Sequence, residues 1–184
     1  MRHPPELEKA AQTKANEIAT APGFDPQKDI VLLAAVNSEA GFKKAVSIGN
    51  SLEKQYGKVG EVDLYSHAGS RDGPNFNYGH NQPGEPKRYS NEQAPARLLA
   101  LKINWQSSDA KAGFYGCNTA TFAQQFANRQ RVTTFGFNTT TQFSDTPQGR
   151  SVGLYLFGSG GYSSVYMIHR DGRPPIRRDP TQPE

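Results

Sequence analysis

Apolar residues fall into short runs along this chain, separated by stretches rich in Gly, Pro and Asn. The run "DIVLLAAV" (29–36) is almost continuous, the pattern of a strand buried on both faces of a parallel sheet. Before it, "PPELEKAAQTKANEIATA" suits a short helix that begins at the Pro pair and ends at "PGFDP". After it, Phe42, Ala45, Val46, Ile48, Gly49 and Leu52 recur near helical spacing, with Asn37 or Ser38 to cap the start and Gly57 the end. "EVDLYSH" (61–67) then predicts a second strand.

From Ala68 to about residue 93 no periodicity survives, which predicts a long functional or mobile loop. "APARLLALKINW" is helical at its start, "KAGFYG" is a third strand, "NTATFAQQFANRQ" a helix and "RVTTFGF" a fourth strand. "SVGLYLFGSGGYSSVYMIH" predicts a C-terminal β-hairpin around its glycines. Strands alternating with helices imply parallel βαβ units, hence an α/β sandwich with a mostly parallel central sheet. The expected organisation is a polar, helical N-terminal extension over 1–29, one α/β domain over 30–170, and a basic, poorly ordered tail over 171–184.

A chain of 184 residues is long enough for one sizeable core. Its net charge of +4 is modest, and "EPKRY" and "RRD" are too short and mixed to form a basic patch, which argues against nucleic-acid binding. No window is apolar enough to span a membrane, and "MRHPPELEKA" lacks the apolar stretch of a secretory signal. The expectation is a soluble chain, either cytoplasmic or delivered as a secreted effector. A single cysteine excludes an internal disulfide, no Cys/His group has zinc-ligand spacing, and the glycine run lacks the Lys and flanking elements of a phosphate loop, so no cofactor is expected.

In open parallel sheets, active sites form beyond the carboxyl ends of the strands. His67 ends "VDLYSH" and Cys117 ends "AGFYGC", so each candidate sits where such a site would form. Neighbouring parallel strands lie about 4.8 Å apart, which brings side chains at adjacent ends within proton-transfer or water-bridged reach. A cysteine nucleophile needs such a neighbour, and the helix beginning just after Cys117 adds a dipole that favours a negative sulfur. Taken singly, Cys117 among Phe114, Tyr115 and Phe122 reads as a small buried hydrophobe, and His67 as a satisfied core or loop histidine. Their matching positions at two strand ends favour the catalytic pair.

"VDLYSHAGS" followed by "KAGFYGCNTA" resembles the caspase, gingipain and clostripain group of cysteine peptidases, in which one apolar strand ends in His-Gly and a later one in the nucleophilic Cys. The interval of 50 residues between His67 and Cys117 is that of caspase-like sites. The stretch from Gly116 to Ser144 is also similar to bacterial domains attached to large secreted or toxin proteins. The resemblance covers about residues 30–145; the family's His-Gly reads His67-Ala68-Gly69 here, and the caspase Gln-Ala-Cys signature is absent. It implies a caspase-like three-layer α/β sandwich and a cysteine peptidase or amide hydrolase of the effector or toxin type. Cys117 would attack the scissile carbonyl and His67 would act as base and then acid. N–H groups near Ala68 or Gly69, with that of Cys117, would receive the oxyanion. Expected partners are a peptide or protein substrate and an inhibitory or immunity protein. The alternative is a catalytically silent domain of the same fold that binds a protein through the 68–93 loop; a Cys-dependent transferase is a third reading.

Arg71 and Asp72 follow His67 closely and could touch substrate, although Asp72-Gly73 is also a plain turn signal. Asp145 could line a pocket for a basic side chain, although Asp-Thr-Pro reads first as turn initiation. His80 reads as an exposed loop residue and His169 as a surface residue.

Overall fold

The computed structural model describes residues 5–36, 38–69, 73–76, 95–107, 109–144, 147, 164–169 and 173–181. The chain is an α/β protein whose central sheet has four strands among the described residues. These are β1 (Glu61–Tyr65), β4 (Lys111–Tyr115), β5 (Thr133–Gly136) and β8 (Ile176–Arg178), lying side by side in that order. The first three run parallel and β8 closes the far edge antiparallel. Two small ribbons accompany it: β2 (His67–Gly69) with β3 (Gly73–Asn75), and β6 (Thr141–Ser144) with β7 (Tyr166–His169), both antiparallel.

Alternation along the strands divides the apolar side chains between two faces. Leu64, Ala112 and Phe114 belong to the main core. There they meet Phe42 and Val46 of α2 (Glu39–Ser51), Leu98 of α4 (Pro95–Leu99), and Phe122 and Phe126 of α5 (Ala120–Gln130). In α5 the buried residues Ala120, Ala123 and Ala127, with Phe122 and Phe126, recur at helical spacing, and the Phe114, Phe122 and Phe126 rings pack edge to face or tilted. On the other face Tyr65 and Tyr115 stack with centroids 4.4 Å apart and pack against Leu7, Phe137 and Met167.

Leu7 belongs to α1 (Pro5–Ala19), the helix expected from the Pro pair. Its residues Leu7, Ala10 and Thr13 are buried, and the Thr13 hydroxyl accepts the Val165 N–H at 2.9 Å. Lys14 pairs with Glu61 of β1 at 3.2 Å. Within the N-terminal extension, α1 is therefore packed against the sheet. Ser38 caps α2 by accepting the Gly41 N–H at 3.0 Å, and Gly57 ends the short α3 (Glu53–Tyr56) that follows.

Three sequence expectations need correction. Residues 29–36 form no strand, and Ile30, Leu32 and Leu33 are 43–50% exposed. The segment links α1 on the tyrosine face to α2 on the phenylalanine face, so it passes outside the sheet; only Val36 reaches the main core. The C-terminal segment is ordered through β8, because Thr134, Phe135 and Gly136 offer a free edge to Ile176–Arg178. The third concerns the start of the 68–93 loop. Its described residues form the β2–β3 ribbon, with Gly73–Phe76 buried; 70–72 and 77–93 lie outside the described residues. In the expected C-terminal hairpin, residues 151–163 also lie outside them, and the described partner of β7 is β6.

Candidate active site

The β1–β4 pair is in register from Glu61↔Lys111 to Tyr65↔Tyr115. One further ladder bond, Ser66 N–H to the Tyr115 carbonyl at 3.0 Å, extends it past the strand ends. His67 follows β1 and Cys117 follows β4, each by two residues, so both leave the carboxyl ends of neighbouring parallel strands. At Ser66 the two segments also come very close. A Cβ on Gly116 would stand 2.5 Å from the Ser66 carbonyl oxygen and 3.1 Å from the Ala68 Cβ. Beyond Ser66 the chain turns into β2, where His67 faces Asn75 across the ribbon.

Cys117 is half-buried and is in no disulfide. Asn118 follows it in the left-handed region at φ 57°, which Asn tolerates better than most residues. The chain then turns into α5 through Thr119, whose buried hydroxyl donates to the Phe114 carbonyl at 2.6 Å and accepts the Phe137 N–H at 3.1 Å. The segment after β5 wraps this turn. The Phe137 carbonyl takes the Ala120 N–H at 2.8 Å and the Thr139 carbonyl the Asn118 N–H at 3.0 Å. The Thr141 N–H in turn donates to the Cys117 sulfur at 3.3 Å. The Thr141 hydroxyl lies 3.4 Å from the same sulfur. Among the described residues the Cys117 N–H itself makes no main-chain hydrogen bond.

His169 is not a surface residue. It is 1% exposed, its ring stands edge-on to Phe137 at 4.7 Å, and it pairs directly with Thr141 across the β6–β7 ribbon. Val165, Met167 and His169 are all buried, so the period of two in "VYMIH" was a signal that His169 shares the inward face. Ala68 and Gly69 lie in β2 next to His67. Arg71, Asp72 and Asp145 fall outside the described residues, as does His80.

Away from these strand ends, α1 covers an acidic pair. Glu61 is bridged by Lys14 and Lys111, each at 3.2 Å. Asp63 Oδ2 is sealed from solvent with no hydrogen-bond partner among the described residues. Burial first, and Glu61 second, push the Asp63 carboxyl up to about 7, against the pull of Lys14 and Lys111. Burial, with further contributions from nearby Asp63 and Glu61, also pushes the stacked Tyr65 and Tyr115 hydroxyls well above their ordinary value.

Among the described residues no group of three or more His, Cys, Asp or Glu could hold a metal ion, and no helix is long and apolar enough to cross a membrane. Comparison with protein-family models, curated proteins and solved structures gives no match, so the functional reading stands on the residues and their geometry.

Proposed function

We propose that this chain is a cysteine peptidase or amide hydrolase with a caspase-like three-layer arrangement, Cys117 being the nucleophile and His67 the general base. The observation that carries the reading is the β1–β4 register, which leads both residues out of adjacent parallel strands at one end of the sheet. In the first step the sulfur forms a bond to the substrate carbonyl carbon and its proton passes to His67. The resulting oxyanion is received by the Cys117 N–H, with an N–H of Ala68 or Gly69 as second donor. His67 then protonates the leaving amine as the C–N bond breaks. Water, deprotonated by His67, releases the acyl group and restores the thiol.

The close contact of Gly116 with Ser66 and Ala68 supports the same reading, because it holds the His67 and Cys117 segments together without an intervening side chain. A role as an effector or toxin module, with a peptide or protein substrate and an inhibitory partner, follows from the resemblance of "VDLYSHAGS" and "KAGFYGCNTA" to the peptidase group. A thiol-reactive peptidyl probe tests the proposal. Stoichiometric labelling of folded protein at Cys117, abolished in Cys117→Ala and strongly slowed in His67→Ala, is the expected result. Labelling only after unfolding would favour the catalytically silent domain.

A further inference from the structure

The chain that follows β5 fastens the turn after β4 through alternate residues. Phe137 accepts the Ala120 N–H with its carbonyl and gives its own N–H to the Thr119 hydroxyl. Two residues on, the Thr139 carbonyl takes the Asn118 N–H. Two further on, Thr141 reaches Cys117, and here the partner is the side chain. The Thr141 N–H donates to the sulfur at 3.3 Å and its hydroxyl lies 3.4 Å from the same atom. β4 lies between β1 and β5 in the sheet. The continuation of β1 carries His67, and the continuation of β5 carries the residue that holds the sulfur.

We propose that Thr141 is a positioning residue for the nucleophile: it holds the Cys117 sulfur in place and stabilises the charged form that attacks. A neutral thiol is a weak donor and a weak acceptor, so it leaves the direction of the hydroxyl contact open. The negatively charged sulfur can only accept. A hydroxyl rotates to suit its partner, so on ionisation Thr141 turns its O–H as well as its N–H to one atom. Hydrogen bonds to an ionised group are stronger than neutral ones, so the two together favour the attacking form over the resting one. The N–H is present whatever side chain stands at 141, and the hydroxyl is the part a substitution removes. This deepens the cysteine-nucleophile reading and rests on it.

The test is the alkylation rate of the folded full-length chain by iodoacetamide at neutral pH. It reads the sulfur directly, and the single cysteine makes the label unambiguous. Thr141→Val keeps the branched shape and the main-chain N–H but removes the hydroxyl. Losing a hydrogen bond to a charged group lowers its population about tenfold, while the freed sulfur gains reactivity by about the square root of that. Thr141→Val should therefore keep its thermal midpoint and alkylate about threefold more slowly than the parent. Thr141→Ser returns the oxygen and should recover the parent rate. A purely structural role gives the opposite sign, because a loosened ribbon exposes the sulfur and speeds alkylation. A Thr141→Val protein that alkylates like the parent or faster overturns the proposal, and so does a Thr141→Ser protein as slow as Thr141→Val. If Thr141→Val fails to fold, Thr141→Ala takes its place beside Thr141→Ser, and equal rates in that pair overturn the proposal. The underlying reading fails in a different way. A parent labelled only after unfolding removes the nucleophile and this proposal with it. A parent that alkylates rapidly, shows the Thr141 difference and turns over no peptide counts against the peptidase reading alone.

Discussion

Gly116 and Ser66 touch: a Cβ on Gly116 would lie 2.5 Å from the Ser66 carbonyl oxygen. The obstructing atom is main chain and cannot swing aside, so a side chain at 116 must push the β1 and β4 ends apart. Those ends carry His67 and Cys117. Gly116→Ala is expected to cost about 1–3 kcal/mol, the usual penalty of overpacking. It should also slow probe labelling of Cys117 in whatever protein remains folded. Thermal melts and labelling kinetics check both. A variant that melts and labels like the parent would show that the close approach has no bearing on the site.

Cys117→Ala should abolish turnover with little effect on the thermal midpoint. The sulfur is half-buried at a strand end, so its loss leaves little cavity, whereas a large core side chain such as Phe114 would cost about 3–5 kcal/mol on truncation. His67→Ala should reduce turnover nearly as far, and the double variant should be little worse, since groups acting as one unit are not additive. Peptide-library turnover is the measurement.

The strands carrying the two candidate residues were legible because each buries a compact apolar run between partners: Leu64 on β1, and Ala112 and Phe114 on β4. "DIVLLAAV" carries the same signal and misleads, because apolar density does not say whether a sheet edge is available to receive it. β6 and β8, "TQFS" and "IRR", are too short and polar to announce themselves; pairing with β7 and β5 makes them strands. The Thr141–Cys117 contact spans 24 residues and has no local signature at all.

The exposed run offers a direct check. Leu32→Ser and Leu33→Ser should each change stability by no more than about 0.5–1 kcal/mol, as surface replacements do. Both side chains are half-exposed, at 48% and 50%. In a strand buried on both faces the same changes would cost several times more. Chemical denaturation separates the two cases.

The acidic pair under α1 should make stability depend on pH with a defined sign. Asp63 is raised from 3.8 to about 7 in the folded chain. The folded state therefore holds this proton more tightly than the unfolded chain. The stabilising contribution is complete below about pH 4, declines as the pH rises toward about 7, and is flat beyond. Asp63→Asn keeps the size of the side chain and removes the titration. The thermal midpoint of the parent should fall across that window relative to Asp63→Asn by at least about 3 °C, the equivalent of roughly 1 kcal/mol in a domain of this size. Parallel pH profiles for the two proteins would contradict the assignment.

Gly73 links the far side of the core to the candidate base. Its φ is +85°, where side chains are strained, and a Cβ there would stand 2.6 Å from the Phe122 ring. Phe122 is 2% exposed and held between Phe114 and Phe126, so it has little room to yield. Gly73 pairs with Gly69, and two residues on Asn75 pairs with His67, so the β2–β3 ribbon transmits any shift at Gly73 to the histidine. Gly73→Ala is expected to destabilise the protein by about 1–3 kcal/mol through backbone strain and to slow His67-dependent labelling of Cys117. The His67→Ala background isolates that effect: there, Gly73→Ala should change labelling little, because the displaced base is already gone. An equal further loss in that background would mean that the ribbon acts on Cys117 by another route.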